Sequence, residues 1–457
     1  MEVEFGFIAT PVRPLSKNYP LDLFSSRHAV PLNQHGRIPT VETILISGGN
    51  LGAPFGDLPT PAESIAVKSR KQAVQDTIAN GGIPVSYICN CFISTEYPEM
   101  TAYYKEWAVE PHWVQDYTSG GVKYLMYDCC PVSSSADFYL WKCASMLKQL
   151  PYGGIYFDFG VVVQCNNHQH GCYQRVPIMA MREFYRKLML LQLDLGIKDP
   201  KIVLHNTDYL RMPEMSFVTH LFNGEHIRQG SSSIMHNGKD ILDTYELPMF
   251  AGELSSMPFG VTNSAYFPND VLSKQYGGGK EPGQLYVFRV TKAALAGTLI
   301  HNTIISAHRS HYGLINKIVR IYDKFGVPAS EFNGYWRNYA RVSGAEDIYV
   351  SFYQKPGEKK ILAVIAHAGK AHADQSFTVS FDPGKLGFTP DRAVDLLNAP
   401  DPEYESLIQM IKDKKLPHFR TPTDLGDFGV SGVKIVNGKV QLSLKHHSFA
   451  LLEISGK

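Results

Sequence analysis

GGIYFDFGVVVQCNNHQHGCYQRVPIMAMREFYRKLMLLQLDLGIKDPKIVLHN, residues 153–206, decides the architecture. Its first segment, Gly154–Asp158, is short, apolar on both faces and closed by a carboxylate. That is the pattern of a strand buried in a parallel sheet. Met181, Phe184, Tyr185, Leu188 and Leu195 then recur at helical spacing as far as Gly196. Such a stripe packs a helix on the sheet, and glycine ends it. Ile202–Asn206 is a second short apolar segment. Strand, helix and strand in this order form one βα repeat of an α/β protein.

The same alternation runs outward from residue 44 to residue 326. Eight strand candidates can be counted: Ile44–Ser47, Val85–Asn90, Lys123–Asp128, Gly154–Asp158, Ile202–Asn206, Phe217–Phe222, Pro248–Gly252 and Asn302–Ser306. Thr60-Pro61-Ala62-Glu63 reads as a capping box, and Asn80-Gly81 closes the helix it opens. Residues 284–300 are apolar nearly all round, which suits a helix buried between two layers. Leu314, Ile315, Ile318, Val319, Tyr322 and Phe325 form another stripe, ending at Gly326. Eight such units predict a (β/α)8 TIM-type barrel over 44–340.

After about residue 345 the texture changes to strand-like runs: Ile348–Tyr353, Ile361–His367, Ser376–Phe381, Val433–Val436, Val440–Leu444 and Ser448–Ile454. Asn437-Gly438 between two of them is a strong hairpin signal. Residues 341–457 therefore read as a C-terminal antiparallel β-sandwich, with one helix near Glu405–Lys414. Residues 1–43 read as a lead-in.

The 457 residues carry 44 Lys+Arg against 43 Asp+Glu, a net charge of +1. A nucleic-acid partner or an anionic membrane surface is therefore not expected, because both need a clustered basic surplus. No apolar run reaches the ~20 residues of a membrane helix. The opening residues show no basic region followed by an apolar stretch, so no secretory signal is read there. Oligomeric state is not legible. Gly48-Gly49-Asn50-Leu51-Gly52 lacks dinucleotide-site spacing, and Gly277-Gly278-Gly279-Lys280-Glu281 fails as a phosphate loop. No nucleophile elbow of the G-x-S-x-G type occurs.

Active sites of such barrels stand at the C-terminal ends of the strands. Polar residues recur there: Asp128, Asp158, His205-Asn206, Glu225-His226, Glu253 and, beyond the last strand, His308-Arg309. Singly, each is more readily a turn or cap residue. Jointly they suit sugar chemistry, which needs one carboxylate beside the anomeric centre and a proton donor at the leaving oxygen. Asp158 leads because no basic neighbour neutralises it, and Glu225 follows because Gly224 permits a sharp turn. Asp158 is expected as nucleophile or transition-state stabiliser, and Glu225 as general acid with a raised pKa. Asp128, His205, Asn206, Glu253 and Arg309 are expected to hold hydroxyls, and Trp336 to offer a stacking face at the domain junction. No cofactor is needed for that route.

Cys165, His168, His170 and Cys172 place four soft-metal ligands within eight residues, directly after the fourth strand. A structural zinc site and a Cys165–Cys172 disulfide are both open readings, as is a mixed site completed by Cys129 or Cys130. A zinc-dependent hydrolase using this loop is one rival function. A non-catalytic glycan-binding protein on the same scaffold is the other.

GGIYFDFGVVVQCNNHQHGC (153–172), VPIMAMREFYRKL (176–188) and LHNTDYLRMPEMSFVTHLFNGEHIRQ (204–229) resemble, in order, a group of bacterial glycoside-hydrolase-like proteins related to glycoside hydrolase family 123. The resemblance implies a TIM-type barrel followed by a β-sandwich. It also implies that EFGFIATPVRPL, from Glu4 to Leu15, is the junction from an N-terminal sandwich absent here. Family 123 enzymes use an adjacent Asp-Glu pair in substrate-assisted cleavage of N-acetylgalactosaminides. Here Asp158 is followed by Phe159, a departure from that route. The strand-four and strand-six carboxylates also resemble those of retaining clan D glycosidases, where they are nucleophile and acid/base. The resemblance implies a carbohydrate substrate, from a bacterial, plant or host glycan, and retention. It further implies a periplasmic or extracellular setting, with the cytoplasm left open by the chain's start.

Overall fold

The computed structural model describes residues 7–25, 41–45 and 71–456, less breaks at 73, 76, 80–81, 90, 96, 120–121, 161, 174, 206–209, 228–239, 268–280, 371–372 and 416–424. The capping box at 60–63 and Asn80-Gly81 lie outside the described residues.

Seven strands form one parallel sheet: β1 (Phe24–Ser25), β2 (Val41–Leu45), β3 (Ile83–Cys89), β7 (Gly154–Asp158), β8 (Lys201–His205), β9 (His220–Phe222) and β10 (Thr262–Asn263), neighbours in that order. Just past β10, Ala265 makes a parallel bridge to Ile305, the eighth position. Side-chain hydrogen bonds link the two ends of this sheet. Ser306 Oγ donates to the Phe24 carbonyl at 3.2 Å, and the Phe24 amide donates to Ser264 Oγ at 2.6 Å.

Alternation along β7 explains its apolar sequence. Tyr156 points inward among Phe24, Tyr87, Val203 and Phe222. Ile155 and Phe157 point outward onto Met181, Phe184, Tyr185 and Leu188 of the helix Ile178–Asp194. At the opposite end from the expected site, Asp22 sits 3.3 Å from His220 Nε2 and 3.9 Å from Lys201 Nζ, all three buried.

Two expected strands are corrected. Lys123–Asp128 belongs to β6 (Val122–Asp128), the centre of an antiparallel sheet with β4 (Phe92–Ser94) and β5 (Val114–Ser119), inserted between β3 and β7. Gly120-Gly121 separates β5 from β6 in the sequence, a two-residue hairpin signal that outcompetes parallel pairing. Pro248–Gly252 is helical, passing from Leu247–Met249 into a wide turn over Phe250–Leu254. Pro248 suits a first helical turn, where its missing N–H costs nothing. The seventh strand is instead β10. The first strand is β1, so residues 1–43 are more than a lead-in.

The C-terminal sheets run β11 (Glu331–Asn333), β13 (Ile348–Gln354), β14 (Lys360–His367), β19 (Phe449–Gly456), β16 (Pro390–Asp395), and β12 (Ala340–Ser343), β15 (Gln375–Phe381), β18 (Lys439–Leu444), β17 (Val430–Val436). They begin at Glu331 rather than 341. Asn437 and Gly438 both adopt positive φ, 52° and 73°, as a primed hairpin turn requires. Ile361, Ala363 and Ile365 of β14 face the second sheet, while Leu362, Val364 and Ala366 face the helices Glu281–Leu299 and Tyr312–Phe325. The first sheet is thus buried on both faces, and the barrel and sandwich share a core.

Candidate active site

Asp158 ends β7 two residues after Tyr156, so it projects to the same interior side. Its Oδ1 lies 2.7 Å from Nδ1 of His205, the last residue of β8, and accepts the Phe159 amide at 3.1 Å. Its Oδ2 accepts the Tyr87 hydroxyl from β3. The other nitrogen of His205, Nε2, is 3.2 Å from Oε2 of Glu225, just past β9. One imidazole therefore stands between two carboxylates. Their facing oxygens, with the ring between them, lie inside the ~9.5 Å upper limit for inverting pairs; retaining pairs stand ~5–5.5 Å apart.

Gly224 makes this possible. Its φ is 119°, and a Cβ there would lie 2.8 Å from the Tyr266 carbonyl. Only glycine permits both that approach and the turn that delivers Glu225.

The electrostatics follow from burial and pairing. Burial opposes the His205 charge, but hydrogen bonds and attraction to Asp158 and Glu225 outweigh it and raise the pKa to about 9. Burial likewise opposes the Asp158 charge, and the His205 and Tyr87 contacts hold its carboxyl below the ordinary value. Burial and the neighbouring Asp158 push the Tyr87 phenol up, so it remains a donor. At neutral pH the centre is a carboxylate, an imidazolium and Glu225, with its charge fixed in place rather than solvated.

An aromatic wall adjoins this centre. Phe159 follows Asp158 with φ 53° and is 38% exposed. Its ring lies 5.7 Å from Phe92 and 6.0 Å from Trp113, which is 36% exposed. Left-handed backbone at a bulky residue is held only where its surroundings impose it. On the other side Tyr266 stacks between Phe222 at 4.4 Å and His308 at 5.2 Å.

The remaining expected residues divide. Glu253 comes from the turn Phe250–Leu254, not a strand end, and reaches His226 Nε2 at 2.7 Å, next to Glu225. Arg309 follows His308 beyond the Ile305 bridge with φ 53°, half-buried. Asn206 lies outside the described residues. Asp128 stands apart: it ends β6 of the inserted sheet, is 4% exposed, and burial pushes its carboxyl well up. Trp336 also stands apart from this centre. It stacks on His301 at 6.1 Å, and His301 precedes the Ile305 bridge, at the far end of the barrel from Asp158. Tyr87, Phe159 and Trp113 were not anticipated. Tyr87 stands two residues before the end of β3, so inward alternation was the available signal. Trp113 immediately precedes β5 of the inserted sheet, and the sequence offers no signal for that sheet beyond Gly120-Gly121 and the Lys123–Asp128 run.

Cys165, His170 and Cys172 converge, joined by Cys130 from the end of β6. His168 does not join them; it packs on Tyr173 at 4.6 Å. The Cys165–Cys172 disulfide is not formed.

Comparison with known proteins agrees with this architecture. Residues 315–403 match the glycoside hydrolase 123 C-terminal domain. That match spans the last barrel helix and the start of the sandwich. The fold of the chain as a whole is that of solved TIM-barrel enzymes with a C-terminal sheet domain. A maltogenic α-amylase, AmyB from Thermotoga neapolitana, superposes with a TM-score of 0.56 at 10% identity, over 96% of this chain and 99% of that one. An α-amylase from Lactobacillus plantarum gives 0.55 at 8% identity, over 96% and 100%. Trehalose-6-phosphate hydrolase from Bacillus licheniformis gives 0.53 at 9% identity, over 96% and 99%. No curated protein matches the chain. Among the described residues no helix is long and apolar enough to cross a membrane.

Proposed function

We propose that the chain is a retaining glycosidase in which Asp158 is the nucleophile, Glu225 the acid/base and His205 the group that positions both; retention rests on the carboxylates following the fourth and sixth strands of the sheet, and it requires them to draw closer than the ring-bridged spacing when sugar binds. The observation that carries this is the single imidazole between two carboxylates, 2.7 Å from one and 3.2 Å from the other, at the C-terminal side of β7, β8 and β9.

With Glu225 ionised, the three groups carry one net negative charge and share one mobile proton. On His205 Nε2 it makes an imidazolium. On Glu225 it makes the general acid, with a neutral imidazole still donating from Nδ1 to Asp158. Transfer across the 3.2 Å contact loads the acid without drawing a proton from water. The Asp158 carboxylate then attacks the anomeric carbon as the glycosidic C–O bond breaks, and Glu225 protonates the leaving oxygen. Water next attacks the glycosyl ester, Glu225 takes its proton, and Asp158 is released. Phe159, 38% exposed with Trp113 set edge-on beside it, offers an apolar face for a sugar ring. Glu253, His226 and Arg309 serve as hydroxyl partners in this reading.

The test is a screen of aryl glycosides with the wild-type chain and the Asp158→Ala, Glu225→Ala double variant. Release of aryl alcohol by the wild type alone, with the anomeric configuration retained in the product, is the expected result. Sugar binding without turnover, equal in both proteins, would make this a glycan-binding scaffold instead.

A further inference from the structure

Cys130 closes the inserted sheet, and Cys165, His170 and Cys172 lie on the loop that leaves β7. The four ligand atoms all lie within 4.8 Å of one another. Cys130 Sγ is 3.6 Å from Cys172 Sγ, and Cys165 Sγ is 3.3 Å from His170 Nε2. A tetrahedral zinc with Zn–S bonds of ~2.3 Å has ligand edges of about 3.8 Å. A disulfide would need ~2.05 Å between sulfurs.

The surroundings orient these groups as a metal site requires. His170 Nδ1 faces the Glu106 carbonyl, which fixes the proton on Nδ1 and leaves the Nε2 lone pair aimed at the sulfurs. The Asn167 amide donates to Cys165 Sγ at 3.4 Å, and the Val132 amide donates to Cys130. Both donors stand two residues after their cysteine, so the two thiolates would have their charge met in the same way. Apolar packing alone accounts for three buried thiols among Val109, Val132 and Val163. It does not account for an imidazole edge held in their midst by its other nitrogen.

We propose that Cys130, Cys165, His170 and Cys172 bind one zinc ion with a structural role. Four protein ligands leave no open position for water, so this is a clamp and not a hydrolytic centre. It ties the loop after Asp158 to the inserted sheet. Asn167 ties the same loop to the C-terminus of the helix Pro98–Trp107, donating to the Lys105 and Ala108 carbonyls at 2.8 Å each. The zinc therefore steadies the segment carrying Phe159. The proposal stands whether or not the barrel cleaves sugars.

The experiment is metal analysis of the full chain grown with zinc, alongside His170→Ala, His168→Ala and Cys130→Ser. One zinc per chain is expected in the wild type and in His168→Ala, with most of it lost from the other two. Should those two variants fail to fold, cobalt replaces zinc in the wild-type chain. Intense visible bands of a tetrahedral cobalt–thiolate site are the expected result. A chelator should also lower the melting temperature of the wild type. Wild-type protein with little zinc and no cobalt bands overturns the proposal. So does a disulfide among these cysteines found by mass spectrometry, or equal zinc loss from His168→Ala and His170→Ala.

Discussion

His205 concentrates the chemistry of the molecule in one ring. Its folded pKa of about 9 exceeds the ordinary 6.5. The charge it carries therefore stabilises the fold fully below about 6.5, and that stabilisation is lost as pH rises through about 9. The wild-type melting temperature should fall between those limits, and His205→Ala should flatten that part of the profile. The same proton serves the acid step, so kcat/KM should also decline near pH 9. On the acid side Asp158 is held below the ordinary carboxylate value, which keeps the nucleophile ionised into mildly acid solution. His205→Ala should lower kcat by about 10²-fold or more and move the acid limb of kcat/KM upward, because Asp158 then keeps its burial without its cation. A purely structural histidine would leave the acid limb where it was. Asp158 and Glu225 were legible as candidates because a carboxylate closing an apolar strand and a Gly-Glu turn leave marks in the sequence. The role of His205 as the bridge was not, since it depends on strand neighbours that only the sheet order reveals.

Among the elements, β7 depends on close approach to β8. A Cβ on Gly154 would lie 2.1 Å from the Lys201 carbonyl oxygen, and a backbone atom cannot swing aside. Gly154→Ala should destabilise the chain by about 1–3 kcal/mol or more, read as a fall in melting temperature. Gly252 is the control. It lies in a helical turn with nothing within 4 Å of its Cβ position, so Gly252→Ala should change stability by less than about 1 kcal/mol. The helical stripes at 181–195 and 314–325 and the C-terminal hairpin were legible because each rests on a local period or turn. The substitution of β1 and β10 for Lys123–Asp128 and Pro248–Gly252 was not. β1 and β10 have two residues each, too few to show a period, while the inserted sheet offers longer and more strand-like segments.

At the scale of the whole molecule, barrel and sandwich are held by one shared core and a charged clasp. Arg320, on the last barrel helix and 1% exposed, lies 3.2 Å from Asp401 and 3.5 Å from Glu403. Burial opposes the Asp401 charge, but Arg320 and Lys324 bring its pKa down to about 2. This stabilisation is present above the ordinary value of 3.8 and is lost as pH falls toward 2. Asp401→Ala should cost about 3 kcal/mol, the low end for breaking a buried pair, because Glu403 remains. Denaturation at neutral pH should show that loss, and the gap from the wild type should narrow below pH 4. The two-domain plan was legible from the change of texture near residue 345. The clasp and the shared core join segments some 80 residues apart in sequence, beyond the reach of any local pattern.

The central claim is that Asp158 and Glu225 divide the work of glycoside cleavage. Leaving-group dependence in Glu225→Ala tests it most directly. An aryl glycoside with a dinitrophenyl leaving group needs no proton, so its first step should survive in Glu225→Ala and vanish in Asp158→Ala. Poor leaving groups should be cleaved far more slowly by Glu225→Ala than by the wild type. Azide should then raise turnover of the dinitrophenyl substrate by Glu225→Ala, by attacking the glycosyl–Asp158 ester that water now attacks slowly. Equal loss on good and poor leaving groups, with no azide rescue, would contradict the assignment and move the acid/base role to Glu253.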